Sequence, residues 1–225
     1  MKLKILNKKI IATNTWQVWF DLCGNDFNFI AGQYIQLTIP KLKYADDKGF
    51  SRIFSLACSP NKKNEICVAF RYTGSGFKKT LIEMKVGGKA TAKGPWGSFN
   101  LISETNYPVV FIAGGIGITP FISMIKFAYE NKTKHNIKLL YFNKDISNAA
   151  FKPDLDEIEK NNKNFSYIDR FKRIDKQFIS KNVPEIKNSN WYIAGPEAMV
   201  ISSQKIIEDL GVSRKKIKIE QFAGY

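Results

Sequence analysis

The sequence predicts a β domain followed by an α/β domain, and three observations carry that expectation. Up to about residue 105 the chain is a series of short apolar strands separated by turn residues. After Tyr107 strands alternate with helical stretches, and the first of those strands runs into a glycine-rich turn, VVFIAGGIGITPFISMIKFA at 109–128. Short strands at regular spacing indicate an antiparallel barrel or sandwich, whereas strand and helix alternation indicates a parallel sheet covered by helices.

In the first half the candidate strands are 5–13, 15–22, 34–39, 54–57, 66–71 and 89–93. One helix is expected at 77–84, where Phe77, Thr80, Leu81 and Met84 share a face. The segment SETN at 103–106 is a reasonable linker. In the second half strands at 109–113, 137–142, 165–169, 191–193 and 217–222 alternate with helices near 120–130, 153–160 and 197–210. Thr119 is placed as a helix N-cap with Pro120 as the first helical residue, after which Phe121, Met124, Ile125 and Ala128 fall on one face. Pro196 opens the last helix, Gly211 closes it, and the basic run SRKKIKI at 213–219 reads as a solvated sheet edge.

Three glycines, Gly114, Gly115 and Gly117, sit between a buried strand and an amphipathic helix. Glycine lets the backbone turn sharply and approach an anion, while the helix N-terminus attracts its charge. The pattern suits a dinucleotide's pyrophosphate, although a tight structural turn needs the same residues. A binding crevice is expected at the carboxyl ends of the parallel strands.

Composition excludes several classes. The three cysteines, Cys23, Cys58 and Cys67, are widely spaced and odd in number, which suits neither a disulfide framework nor a metal knuckle. The single histidine, His135, lies in the polar stretch NKTKHNIK and is expected to be a solvated loop residue, so neither histidine-based catalysis nor ordinary zinc chemistry is expected and no metal site is assigned. No apolar stretch reaches the roughly 20 residues that span a bilayer, and the amino terminus breaks too soon for a signal peptide, so a cytoplasmic protein without stable membrane insertion is expected. The formal charge is +15, which suits acidic partners or substrates, a membrane surface or nucleic acid. The lysines are dispersed without a nucleic-acid signature, leaving a non-catalytic basic barrel that binds nucleic acid as the remote alternative.

Residues 52–60 read RIFSLACSP after the polar loop KYADDKGF, which is expected to be exposed. Arg52, Phe54 and Ser55 bring a cation, an aromatic face and a hydroxyl together, a set suited to a heteroaromatic ring carrying phosphates. The same residues also describe an arginine lying over a barrel edge with Phe54 in the core.

With these motifs in order, the chain resembles the ferredoxin-NADP reductase superfamily, specifically its small FAD-containing NAD(P)H oxidoreductases without a fused ferredoxin domain. The resemblance implies a Greek-key FAD-binding barrel over 1–102 and an NAD(P)-binding α/β domain over 107–225. RIFS is similar to the family's Arg-x-Tyr-Ser flavin motif, with Phe54 replacing the tyrosine and losing its hydroxyl. FRYTGSGFKKTL at 70–81 resembles the segment that opens a helix beneath the FAD pyrophosphate. It implies cofactor contacts from Arg71, Tyr72, Lys78, Lys79 and Thr80, with backbone N–H groups near Lys79 and Thr80. GPWGSF at 94–99 resembles the barrel exit and reads as a structural turn.

AGGIGITP resembles the family's nicotinamide-nucleotide turn, implying coenzyme contacts from Gly114, Gly115, Gly117 and Thr119. YIAGPEAM at 192–199 resembles its second glycine turn beside the nicotinamide, implying Gly195, Pro196 and Met199, and Ala194 stands where many relatives carry cysteine. The ending IKIEQFAGY resembles the element that covers the flavin, with Phe222 against its face and Tyr225 as an extension of the lid. The implied reaction is hydride transfer from NAD(P)H to FAD, in which Ser55 assists alignment or proton exchange, Glu220 orients the reacting ends and Phe222 gives way to nicotinamide. The implied acceptor is an acidic ferredoxin or flavodoxin, or an oxygenase component; the alternative is direct reduction of free flavin, a ferric chelate or a quinone. Coenzyme choice stays open, because the tip Asn143, Lys144, Asp145 holds one residue suited to a 2′-phosphate and one suited to a 2′-hydroxyl.

Overall fold

The strands expected in the first half pair into one antiparallel sheet that closes on itself. The computed structural model describes residues 1–103 and 105–222; Glu104 of the expected linker and the expected lid residue Tyr225 lie outside them. The strands are β1 (Lys2–Ala12), β2 (Thr15–Asp21), β3 (Tyr34–Thr38), β4 (Ser51–Ser55), β5 (Glu65–Arg71) and β6 (Lys89–Trp96), in sheet order β4-β3-β6-β1-β2-β5. The two edges meet through an antiparallel bridge between Leu56 and Val68 and a 2.9 Å bond from Ala57 N–H to Cys67 O. This contact draws the two edge strands together at one end and curls the sheet into a barrel. One helix, α1 (Gly76–Glu83), covers its mouth and buries Phe77, Thr80 and Leu81.

β4 begins three residues before its expected start. Its pairing runs from Tyr34 opposite Ser55 to Thr38 opposite Ser51, and Ile39 N–H extends the ladder to Phe50 O at 3.0 Å. Hydrogen bonding through the polar Ser51 and Arg52 is invisible to an apolar pattern.

The second half is a parallel sheet in the order β11-β10-β7-β8-β9, built from β7 (Val109–Gly114), β8 (Ile137–Phe142), β9 (Phe165–Arg170), β10 (Asn190–Pro196) and β11 (Ile217–Phe222). Its helices are α2 (Ile118–Glu130), α3 (Lys152–Asn161), α4 (Lys176–Asn182) and α5 (Glu197–Asp209). Helix α4 was not expected: its seven residues are too short for a helical period to register, and Asp175 starts it by accepting from Phe178 N–H at 2.7 Å. Of the basic run only 217–219 lie on β11, an edge strand; Arg214–Lys216 form a single tight turn before it.

The two halves share one core. Phe99 of the barrel exit packs against Phe121 and Tyr192, and Phe121 stacks on Phe111 at 4.5 Å. A second apolar cluster around Trp191, Ile193 and Val200 fills the other face of the parallel sheet. His135 is buried rather than solvated. Its ring nitrogens contact Thr133 Oγ1 at 2.9 Å and Ile102 O at 2.8 Å, while Tyr192 OH accepts from Ile102 N–H at 3.0 Å. The connection between the halves is thus pinned at Ile102, a long-range role that a polar local sequence cannot announce. Among the described residues, no helix is long and apolar enough to cross a membrane.

Candidate functional site

From β7 and β10 the chain connections run to opposite sides of the sheet, so a crevice opens beyond their carboxyl ends. Both expected glycine turns of the second half lie there, and they touch. A Cβ on Gly117 would overlap the Ala194 carbonyl, one on Gly114 would overlap Met199 Sδ, and one on Gly195 would lie 3.1 Å from Gly114 Cα. Close packing of the two turns, backbone on backbone at Gly117 and Gly195 and against the Met199 side chain at Gly114, accounts for these three glycines. Gly195 also has a positive φ, +154°; Gly115, at φ +53°, differs in what it faces, since a Cβ there would meet only Arg71, with Nη1 at 3.6 Å. That is the position where the turn opens toward a cation.

Helix α2 starts earlier than expected. A single turn of tighter helix over Gly115–Gly117 leads straight into it, the N-cap is Gly117, and no side chain caps the first turn. Thr119 is not the N-cap. It is buried inside the helix with its hydroxyl donating to Ile116 O at 3.0 Å. Arg71 belongs to the barrel but reaches across, donating from Nη2 to Asn148 O at 3.0 Å and from Nε to Thr15 Oγ1 at 3.4 Å. Tyr72 is half-buried, and its N–H bonds Asn14 O at 2.7 Å. Of the tip residues, Lys144 is exposed, whereas Asp145 caps its own turn by accepting from Ser147 Oγ at 2.7 Å and Asn148 Nδ2 at 2.8 Å.

β11 brings the chain's end to the same crevice, with Glu220 opposite Ala194 and Phe222 opposite Pro196. Phe222 is half-buried and packs against the main core. The Glu220 Oε2 atom is buried without a hydrogen-bond partner among the described residues, and burial pushes the carboxyl up to about 7. Near neutral pH this group holds a proton part of the time.

The other anion site sits at the start of α1. Ser75 is the N-cap, its hydroxyl accepting from Lys78 N–H at 3.3 Å, so the first helical turn comprises Gly76–Lys78. The expected donors near Lys79 and Thr80 lie one turn further in: Lys79 N–H bonds Ser75 O at 2.9 Å, and Thr80 Oγ1 accepts from Lys43 N–H at 3.1 Å. The turn faces a carboxylate from its own chain. Asp46 Oδ2 accepts from Phe77 N–H at 2.8 Å and Ser75 Oγ at 2.7 Å, while Oδ1 forms an ion pair with Arg52 Nη2. The Asp46 side chain is 6% exposed and that of Arg52 15%. Against the desolvation that opposes it, the Phe77 and Lys48 N–H groups, the Ser75 hydroxyl and Arg52 hold the Asp46 carboxyl well below the usual carboxylate range. The loop expected to be exposed therefore buries its one critical side chain; an acidic residue six positions before Arg52 was the available signal.

Arg52 also lies over the Phe77 ring at 5.2 Å. Phe54 points inward opposite the buried Ile35, with its ring 5.6 Å from Phe70 and 6.1 Å from Phe77. This is the packing arrangement that the RIFS residues equally described. Ser55 is buried at the end of β4. Lys78 donates to Arg71 O at 2.9 Å, and burial together with repulsion from Arg52 and Lys48 lowers its ammonium to about 8. A helix start, a hydroxyl and a guanidinium already hold an anion, with the Lys78 ammonium on the same helical turn, so these residues fit a diphosphate chemically. The uncapped start of α2 beside Arg71 fits a second.

The oxidoreductase FAD-binding domain family matches residues 2–101, and the oxidoreductase NAD-binding domain family matches 111–205. Flavohemoprotein A of Dictyostelium discoideum is 25% identical over 208 residues, covering 86% of this chain and 52% of its own. The anthranilate 1,2-dioxygenase electron transfer component of Acinetobacter baylyi is 26% identical over 207 residues, covering 87% and 58%. The chain thus spans little more than half the length of these curated relatives. Among solved structures, the flavohem-like FAD/NAD binding domain of nitric oxide dioxygenase from Vibrio cholerae superposes with a TM-score of 0.84 at 18% identity, covering 98% of both chains.

Proposed function

Because the chain belongs to the oxidoreductases that join an FAD-binding to an NAD-binding domain, the ferredoxin-NADP reductase superfamily, we propose that it passes electrons from NAD(P)H through FAD to an acidic acceptor protein of ferredoxin or flavodoxin type, or to an oxygenase component. The observation that carries this reading is the placement of two anion-binding helix starts, α1 on the barrel and α2 on the parallel sheet, with Arg71 reaching from one half to the other. We assign residues 1–102 to the FAD-binding unit and 107–225 to the NAD(P)-binding unit.

Bound FAD supplies the chemistry, accepting electrons as a pair and releasing them singly. The protein's part is binding and alignment. Arg52, Ser75, Phe77 N–H and Lys78 neutralise the flavin's diphosphate, and Gly115, the first turn of α2 and Arg71 receive that of the coenzyme. Gly195, Pro196 and Met199 shape the crevice floor, Phe222 shields it, and Ser55 aligns the reacting edge. Glu220 orients the reacting ends and holds a proton at the crevice's end. The net charge of +15 favours encounter with an acidic partner. A cytoplasmic site suits the two buried free thiols, Cys58 and Cys67.

The purified protein is expected to be yellow and to bleach anaerobically on adding NADH or NADPH, the faster of the two identifying the coenzyme. A colourless protein that cannot be reconstituted with FAD would sink the reading. Stopped-flow reoxidation by ferredoxins at varied salt tests the acceptor: acceleration that weakens with ionic strength supports a protein partner. No acceleration, with rapid reoxidation by ferric chelates, free flavin or a quinone, assigns a small acceptor instead.

A further inference from the structure

The start of α1 meets an anion that the chain itself supplies, and the segment carrying it is built to come away. Residues 40–49 join β3 to β4, and the neck of this loop is closed by the Ile39 N–H to Phe50 O bond, so the loop moves without breaking the ladder. No residue from 40 to 50 is fully buried as a whole; Leu42 packs partly against the core, and the Asp46 side chain is the loop's one deeply buried group. Arg52 Nη1 donates to Lys48 O at 3.0 Å and Gly49 O at 3.1 Å, and Lys43 N–H donates to the buried Thr80 Oγ1 at 3.1 Å; the other ties are surface contacts to α1. Lys43 Nζ pairs with Glu83 at 2.5 Å, Tyr44 OH donates to Glu83 at 2.8 Å, and Lys79 Nζ lies 4.0 Å from the Tyr44 ring centroid. Exposed pairs of this kind contribute little to stability. A turn ending at Gly49, with φ +71° and its N–H on Asp46 O at 2.9 Å, gives the carboxylate its shape.

The carboxylate also undersupplies its seat. Arg52, Lys48 and Lys78 lie around one negative charge at a helix N-terminus; burial first, then repulsion from Arg52 and Lys48, lowers the Lys78 ammonium despite the opposing pull of Asp46. A diphosphate carries more charge and more acceptor oxygens than Asp46 does.

Building on the FAD reading above, we propose that loop 40–49 is a lid: Asp46 occupies the diphosphate seat at the start of α1 as an internal stand-in, and FAD binds by exchanging its diphosphate for that carboxylate as the lid lifts. The closed lid lowers the apparent flavin affinity by the fraction of molecules that are open. The flavin is accordingly exchangeable rather than permanently held.

Two variants weaken the closed lid by different means. Asp46→Asn removes the charge while keeping an acceptor for Phe77 N–H, and Gly76→Ala places a Cβ against the Ala45 carbonyl without touching Asp46. FAD titrations of the flavin-free full chain are expected to show about tenfold tighter binding in each folded variant. Unchanged or weaker binding in folded Asp46→Asn overturns the lid and leaves Asp46 as a fixed cap of α1. Hydrogen exchange on the unaltered protein provides an independent measurement. On adding FAD, the amides of Lys43, Lys48 and Gly49 are expected to lose protection while Phe77 N–H keeps it; retained protection at 43–49 with FAD bound overturns the lid. Absence of FAD binding in wild type and both variants would remove the flavoprotein reading, and the lid with it.

Discussion

The chain builds two helix starts of similar composition, TGSGFKKT and AGGIGITP, and treats them in opposite ways. At α2 no side chain caps the first turn, and three of the four crevice glycines are there because the β7 and β10 turns press together. At α1 the first turn is closed by a serine cap and by a buried carboxylate brought from a loop some thirty positions earlier (|i−j| = 29 to Ser75). A seat that the chain leaves uncapped suits a ligand that arrives and leaves in every turnover. A seat filled by its own chain suits one whose entry is coupled to a change of shape.

The largest effect is expected at the uncapped site. Gly117→Ala drives a Cβ into the Ala194 carbonyl and is expected to cost about 3 kcal/mol or to prevent folding, read as a lowered denaturant midpoint. Gly115→Ala breaks the symmetry among these glycines: it costs roughly 1–2 kcal/mol for the left-handed backbone, yet should raise the coenzyme KM with little loss of fold. Equal destabilisation by the two substitutions would remove the distinction between packing and ligand-facing glycines.

Next comes the filled site. Arg52→Ala removes a charged donor and is expected to weaken FAD binding by about 30-fold in a titration of the flavin-free protein, since hydrogen bonds to charged groups are worth roughly 1.5–3 kcal/mol. Coenzyme binding at α2 should be unaffected by it.

The smallest effect separates the crevice's end from both. Burial raises Glu220 to about 7 from an ordinary 4.5, so the folded state holds a proton that the unfolded chain releases. Stability from this group is therefore fully present below about pH 4.5 and is lost as pH rises toward 7. Glu220→Gln is expected to melt about 2–4 °C higher than wild type at pH 8, corresponding to ~1 kcal/mol, with the difference vanishing near pH 4. A difference that does not change with pH would mean that the carboxyl is not the titrating group.

Local periodicity carried the two-part organisation, because barrel strands and helix-covered strands differ in apolar spacing whatever surrounds them. It also carried the glycine turns, since the left-handed backbone at Gly115 favours glycine and the contacts at Gly117 leave no room for a Cβ. Helix α4, the early start of β4 and the buried His135 escaped it, each depending on a hydrogen-bond partner distant in the chain or on too few residues to show a period. Phe54 shows the limit most clearly. RIFS equally describes a ring offered to a ligand and a ring packed on Phe70 and Phe77, and only the pairing of β4 with β3 turns it inward.

The sequence by itself therefore determined most of the elements, their order and the two turns able to meet an anion, because these follow from short-range sterics and spacing. The tertiary structure alone decided what each turn faces. Arg71 reaches from its barrel to the glycine turn proposed to receive the coenzyme, and Asp46 sits where the flavin's diphosphate is proposed to bind. Charge and hydrogen bonding act through space, so residues that are remote along the chain became the partners that distinguish one site from the other.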